Sequence, residues 1–307
     1  MSLIKVKNLS EVKDRLNSVG KGFCPQKWRR LSLYLYSGMK HSCYHPAPHR
    51  VPLDRLTDPA VLHNTPHDLE NRKLMLTGSR PEGCSYCWNI EDLDKNSDRF
   101  YRNNDGVYDL DEEIDILSNT PWNANVNPYV LEVAFSNLCN FKCGYCCPSS
   151  SSLWEKEIEK FGNYNLLFDQ YGKNKIYSED EYNPYIEAFW KWWPNLKNDL
   201  KIFRITGGEP LLSKYTTKLL HLLADEGNAN LSLQFNTNMG VTNRRIVELC
   251  DHFNSLISSK HIKDIRLFTS LECVGTQAEY IRRGLNYELF LQNVDTYLNT
   301  KIGRAHV

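Results

Sequence analysis

Residues 129–147 read YVLEVAFSNLCNFKCGYCC, an apolar strand-like run followed at once by four of the chain's ten cysteines. The run from 129 to 136 has the length and β-branched character of a buried strand, so Cys139, Cys143 and Cys146 fall on the loop at its carboxyl end. That is where folds built of βα units place their active sites. Three thiolates at spacings of four and three on one loop can converge on a small inorganic cluster. A 4Fe-4S cluster ordinarily takes four cysteine ligands. A loop supplying three leaves one iron open, as three protein ligands and an open position mark catalytic rather than structural zinc. A zinc knuckle is the rival reading of the same spacing. Cys147 adjoins Cys146 and therefore points elsewhere.

The rest of the chain repeats the opening pattern. Strand-like segments recur at 201–206, 231–237 and 265–272, with helical patterns around 180–193, 213–226 and 242–258 between them. Strands separated by helices predict an α/β fold with a parallel sheet, open or curling into a partial barrel. Before this region the text differs. Ser10 is the expected cap of a short helix with Val12, Leu16 and Val19 on its apolar face and Gly20 as its stop. LSLYLYSGMKHSC, 31–43, reads as a hairpin with a Ser-Gly turn. From 46 to 87 the chain is rich in Pro, His, Asp and Gly with little periodicity, a loop-built module that needs a staple, and 96–127 reads as connector.

Composition narrows the function. Lys+Arg and Asp+Glu balance at 37 each in 307 residues, which argues against a nucleic-acid-binding face. FWKWWP at 189–194 carries a single lysine, so it reads as helix core and not as a base-stacking platform. The charged amino terminus is no signal peptide, and no apolar run is long enough for a membrane span. The expectation is a cytoplasmic protein in which cysteines serve as metal ligands or catalytic groups. Cys250 and Cys273 sit in apolar text and read as core thiols.

With these residues in view, the sequence resembles the radical S-adenosylmethionine superfamily. The signature C-x3-C-x-aromatic-C is matched by Cys139, Cys143, Tyr145 and Cys146, and a Gly-Gly-Glu-Pro motif by Gly207, Gly208, Glu209 and Pro210 in FRITGGEPLL. The resemblance implies a 4Fe-4S cluster on the three cysteines whose open iron is chelated by S-adenosylmethionine. Reductive cleavage then gives a 5'-deoxyadenosyl radical that abstracts hydrogen from a peptide, sugar-like or other small-molecule substrate. A flavodoxin or ferredoxin is the implied electron donor. The two glycines let backbone approach the cofactor, Glu209 accepts from the methionyl ammonium, and Tyr145 packs by the adenine. Ser270 in FTSLE resembles a residue that meets the ribose, and Arg282 in EYIRRG one that pairs with the cofactor carboxylate. Asn236 and Asn238, at the end of the third strand, are polar candidates for the same mouth or simple loop caps.

A second cysteine set lies upstream. Cys24, thirteen residues, Gly38, four residues and Cys43, with Cys84 and Cys87 as C-x2-C, resemble a twitch domain, the shortened SPASM module that holds an auxiliary 4Fe-4S cluster. In related chains that module commonly follows the radical domain; here it precedes it. Four thiolates supply a closed ligand set suited to electron transfer or to a structural role. Tetrahedral zinc is the alternative, and with both cysteine sets read as zinc sites the protein would be non-catalytic. His45 and His49 in CYHPAPHR read as surface loop histidines.

The expected organisation is an N-terminal helical arm at 1–20, a twitch-like module at 21–95, a connector at 96–127 and a radical core at 128–301. A complete core of this type has six βα units. This one is expected to be a C-terminally truncated partial (β/α) barrel ending with the helix LNYELFLQNVDTYLN, and IGRAHV at 302–307 reads as an artefactual tail.

Overall fold

The structure, a computed structural model, describes residues 7–164 and 175–300. The expected tail lies outside them. The fold is mixed α/β with a mostly parallel sheet of seven strands, and the described residues fall into two compact units.

One unit contains the described residues up to Leu33, together with Met39–Leu131 and Ala188–Lys201. It opens with α1 (Leu9–Val19). The cap is Asn8 and not Ser10, because the Asn8 side chain accepts from Glu11 N at 2.9 Å and donates back to Glu11 Oε1 at 2.8 Å. This reciprocal pair closes the first turn. Short α2 (Gln26–Arg29) leads into β1 (Arg30–Tyr34), β2 (Met39–His41) and β3 (His49–Arg50), with β2 and β3 antiparallel. The expected Ser-Gly turn joins β1 to β2, and Gly38 has φ +69°. α3 (Pro66–Leu76) follows, where the sequence showed little periodicity. Thr65 caps it and Pro66 occupies its first turn, and the face it buries carries Asp68, Asn71 and Arg72 beside Met75. Burial of polar side chains hides a helix from any hydrophobic count.

α4 (Ser85–Glu91), α5 (Asp98–Arg102) and α6 (Leu110–Ser118) complete this unit's numbered helices apart from one described below. The stretch 96–127, expected to be connector, therefore carries two helices, capped by Ser97 and Asp109. Leu110, Ile114 and Leu117 recur at helical spacing and join Val12, Leu16, Phe23, Trp28, Met75, Trp88 and Phe100 in one core. Cys84 and Cys87 belong to that core too.

The second unit contains Tyr34–Gly38, Glu132–Glu187 and the described residues from Ile202 onward. β4 (Val130–Ala134) precedes β5 (Lys142–Cys143) and α7 (Ser152–Phe161). α8 (Pro184–Leu196) carries the aromatic run, and Phe189, Trp192 and Trp193 are buried as expected of helix core. Then come β6 (Ile202–Thr206), α9 (Lys214–Asp225), β7 (Ser232–Thr237), α10 (Asn243–Ser258), β8 (Asp264–Thr269), α11 (Gly275–Ile281), β9 (Arg282–Arg283) and α12 (Tyr287–Asn299). The strand order is β3-β2-β1-β4-β6-β7-β8, with β5 and β9 forming a separate pair.

β6, β7 and β8 run parallel, in register Phe203↔Leu233 and Leu233↔Ile265. The expected βα alternation is present because each helix offers one apolar stripe. Ile246, Leu249, Cys250, Phe253 and Leu256 line α10 at spacings of three and four, and Phe253 packs on Phe235 of β7 with ring centroids 5.2 Å apart. Fully burying such a side chain contributes about 1.5–3 kcal/mol. Cys250 is a core thiol; Cys273 is only half-buried, because it lies in the turn between β8 and α11.

Candidate functional site

Past β4 the chain enters the cysteine loop, and backbone from the next strand holds it there. Gly208 N donates to Ser136 O at 3.1 Å and Glu209 N to Leu138 O at 2.7 Å. Such an approach leaves no room for side chains. A Cβ on Gly208 would lie 2.4 Å from Leu138 O and 2.5 Å from Asn137 O, and one on Gly207 2.6 Å from Ser136 O. Gly207 also has φ +126°, which other residues rarely adopt. The glycines are required by the carbonyls that lead into Cys139, a reason different from the cofactor approach expected from sequence.

Further contacts fix the rest of the loop. Cys139 N donates to Ser152 Oγ at 3.1 Å, Ser151 Oγ to Phe141 O at 2.7 Å, and Trp154 Nε1 to Cys143 O at 2.8 Å, all from the start of α7. β5 and β9 pair antiparallel, which sets Cys143 opposite Arg282. Asn238 donates through Nδ2 to Asn140 Oδ1 at 2.9 Å and lies 4.0 Å from Cys139 Sγ.

Held this way, the three thiols act on one another. Cys146 and the charge of Arg282 bring the Cys143 thiol down to about 7 against burial, and Cys143 together with burial raises Cys146. Burial pushes Cys139 up to about 11. Cys147 turns away, with Sγ 3.1 Å from Ser149 Oγ and 3.6 Å from Ser150 Oγ.

Glu209 is 1 % exposed. Its Oε1 accepts from Leu211 N at 3.0 Å and Thr237 Oγ1 at 2.8 Å, and its Oε2 from Asn238 N at 2.6 Å. Burial nevertheless raises its carboxyl to about 7. A carboxylate offers about four acceptor positions, so one remains on Oε2.

Arg282 is buried and bidentate to Glu272, Nε to Oε2 at 2.7 Å and Nη2 to Oε1 at 2.5 Å. Tyr145, 56 % exposed, donates to the same Oε1 at 2.9 Å, and its ring centroid lies 5.5 Å from the guanidinium. Arg282 holds the Glu272 carboxyl below its ordinary range. Sequence reasoning missed Glu272, although it stands in the FTSLE segment, because nothing local ties it to Arg282. Thr237 and Trp154 were missed for the same reason. Ser270 is exposed, just past the end of β8. Asn236 accepts from Arg204 Nε at 2.9 Å, a contact between neighbouring strands.

The upstream cysteines also converge. Cys24, Cys43, Cys84 and Cys87 line one pocket with Lys27, Ser42, His45 and Arg99. Burial, together with Cys43, raises the Cys24 thiol to about 12, and burial raises Cys84 and Cys87 to about 11. His45 is held by Asp98 Oδ2 at 2.8 Å and stacks on Tyr86 with centroids 3.7 Å apart, and His49 bonds Thr65 Oγ1 at 3.0 Å. Two buried polar atoms without a partner, Ser42 Oγ and Gln26 Oε1, belong to residues of this lining. Among the described residues no three His, Cys, Asp or Glu side chains are grouped tightly enough for a single metal ion.

The family model of the Radical SAM superfamily matches residues 133–304, more than half of the chain, and the protein belongs to that superfamily. Membership implies a 4Fe-4S cluster and S-adenosylmethionine as cofactors. No curated protein and no solved structure matches the chain.

Gly208→Ala tests the clamp on the loop. The added methyl forces the 136–138 carbonyls to shift at a cost of about 1–3 kcal/mol. The variant is expected to melt earlier and to take up less iron at the loop with all three cysteines intact, as read by thermal melting and iron analysis.

Proposed function

We propose that this chain is a radical S-adenosylmethionine enzyme acting on a peptide or small-molecule substrate, an oxidoreductase or a peptide- or sugar-modifying enzyme. The carrying observation is the clamped loop on which the thiols of Cys139, Cys143 and Cys146 interact while Cys147 turns to serines. The donor set fits a 4Fe-4S cluster with one iron free for S-adenosylmethionine. When both are bound, they supply one-electron cleavage of the sulfonium to a 5'-deoxyadenosyl radical that takes hydrogen from the substrate.

The chain's own residues bind and orient. Cys139, Cys143 and Cys146 would hold the cluster, and Asn238 would support the Cys139 sulfur. Glu209, fixed by Leu211, Thr237 and Asn238, offers its remaining acceptor position to the methionyl ammonium. Tyr145 covers the adenine side, with its ring set by Glu272 and Arg282. Arg282, engaged with Glu272 through Nε and Nη2, offers a further N–H to the cofactor carboxylate. Gly207 and Gly208 act through the loop they clamp, and Ser270, exposed beyond β8, is retained as the ribose contact. A flavodoxin or ferredoxin supplies the electron. The cytoplasm is the expected compartment, and no helix among the described residues is long and apolar enough to cross a membrane.

We further propose that Cys24, Cys43, Cys84 and Cys87 hold a second, auxiliary 4Fe-4S cluster in a twitch-like module. All four line one pocket, and partnerless polar atoms border it. A cluster takes each thiolate on a separate iron, whereas zinc gathers four sulfurs at about 2.3 Å from a single ion.

Cys139→Ala, Cys143→Ala and Cys146→Ala are each expected to abolish 5'-deoxyadenosine formation, assayed by chromatography after anaerobic reduction, while Cys147→Ala retains it. Equal damage from Cys147→Ala contradicts the ligand assignment.

Glu209 predicts a pH dependence. With its carboxyl raised to about 7, the neutral form dominates below that pH and cannot attract an ammonium. S-adenosylmethionine binding is therefore expected to tighten as pH rises through 7. Glu209→Gln should remove that slope and weaken binding roughly ten- to a hundredfold at pH 8, the loss of a charged hydrogen bond of about 1.5–3 kcal/mol. Calorimetry of both proteins across this range checks it.

A further inference from the structure

Lys27 is a buried cation without an anion. The residue is 3 % exposed and lies on α2, with its side chain among the lining of the four-thiol pocket. It lines the pocket with Cys84, and its positive charge opposes the rise that burial imposes on that thiol. No carboxylate among the described residues forms an ion pair with it. Asp68 feels its charge, but Asp68 is already paired with Lys40 and lies 3.5 Å from His49 Nε2. Nearby Arg72, 0 % exposed, donates to neutral groups: Lys27 O at 3.2 Å and Asn64 Oδ1 at 2.7 Å. Three buried cations, Lys27, Lys40 and Arg72, thus face one buried acid. Buried charge of this kind is costly unless an anion offsets it.

The pocket itself points to that anion. Its four cysteines, Cys24, Cys43, Cys84 and Cys87, line the cavity together with Lys27. Ligation deprotonates thiols. Four thiolates around an oxidised 4Fe-4S core are dianionic, and one-electron reduction adds a further negative charge. The buried hydroxyl of Ser42, beside Cys43 and without a partner, is a second donor available to sulfur.

We propose that Lys27 is the charge-balancing residue of the four-thiol site, donating to ligand sulfur at Cys84 and favouring the reduced form of the cluster held there. The inference rests on the reading of that site as an auxiliary cluster. Lys27 acts through the ligands and is a positioning and tuning residue, not a catalytic one. Hydrogen bonds and charge near the sulfurs are among the principal determinants of cluster potential.

The test uses the full-length chain with Cys139, Cys143 and Cys146 changed to Ala, reconstituted anaerobically with iron and sulfide, so that any cluster sits at the upstream thiols. The midpoint potential is read by a titration followed by electron paramagnetic resonance. Lys27→Met, which keeps the length of the stem and removes the charge, is expected to shift the midpoint to lower potential, and Lys27→Arg to restore it. Loss of iron in Lys27→Met with retention in Lys27→Arg supports the same role. An unchanged midpoint in a fully loaded Lys27→Met protein overturns the proposal. So does loss of iron and early melting in both variants, which would make Lys27 a packing residue. If the parent protein takes up no iron and sulfide, the auxiliary-cluster reading fails and takes the Lys27 proposal with it; a loaded parent with an indifferent Lys27→Met leaves that reading intact.

Discussion

The cysteine loop depends on one close approach of backbone to backbone. Gly207 and Gly208 come so near the carbonyls of Ser136, Asn137 and Leu138 that no side chain fits, and the amides of Gly208 and Glu209 bond into the same segment. The end of β6 thereby fixes where the chain leaves β4, hence where Cys139 stands. One residue later the same turn buries Glu209, whose acceptor bonds reach Leu211, Thr237 and Asn238. Asn238 returns to the loop through Asn140 and Cys139. A thiol, a carboxyl and the ends of three strands are thus tied into one unit before any cofactor arrives.

Both candidate sites carry charge that their own residues leave unbalanced. Glu209 is a carboxyl raised to about 7 by burial, suited to an ammonium that would draw it into the charged form. Lys27 is a buried ammonium beside four thiols that become anionic on ligation. A buried group of one sign costs free energy in the protein alone and recovers it when the opposite sign binds. In each case the sign of the residue matches the chemistry proposed for its ligand.

Much of the radical core was legible because period and position coincide. β4, β6, β7 and β8 follow apolar runs, and α9 and α10 have stripes at spacings of three and four. The loop cysteines were legible from their spacing. The helices α5 and α6 were not, because their identity rests on caps at Ser97 and Asp109 and on a core assembled from Val12, Trp28, Met75 and Trp88, far away in sequence. Glu272 and Lys27 were invisible for a similar reason. The partner of Glu272 arrives through the β5–β9 pair, and the burial of Lys27 depends on packing that a basic residue on a four-residue helix does not announce. The GGEP motif was found, and what the sequence could not show is that its glycines also lie against the carbonyls of residues 136–138.

Two cysteine sets are proposed to hold two iron-sulfur clusters. Iron, acid-labile sulfide and zinc, measured together on the full-length protein after anaerobic reconstitution, test it most directly. About eight irons and eight sulfides per chain, the content of two 4Fe-4S clusters, are expected. Stoichiometric zinc without sulfide would contradict it.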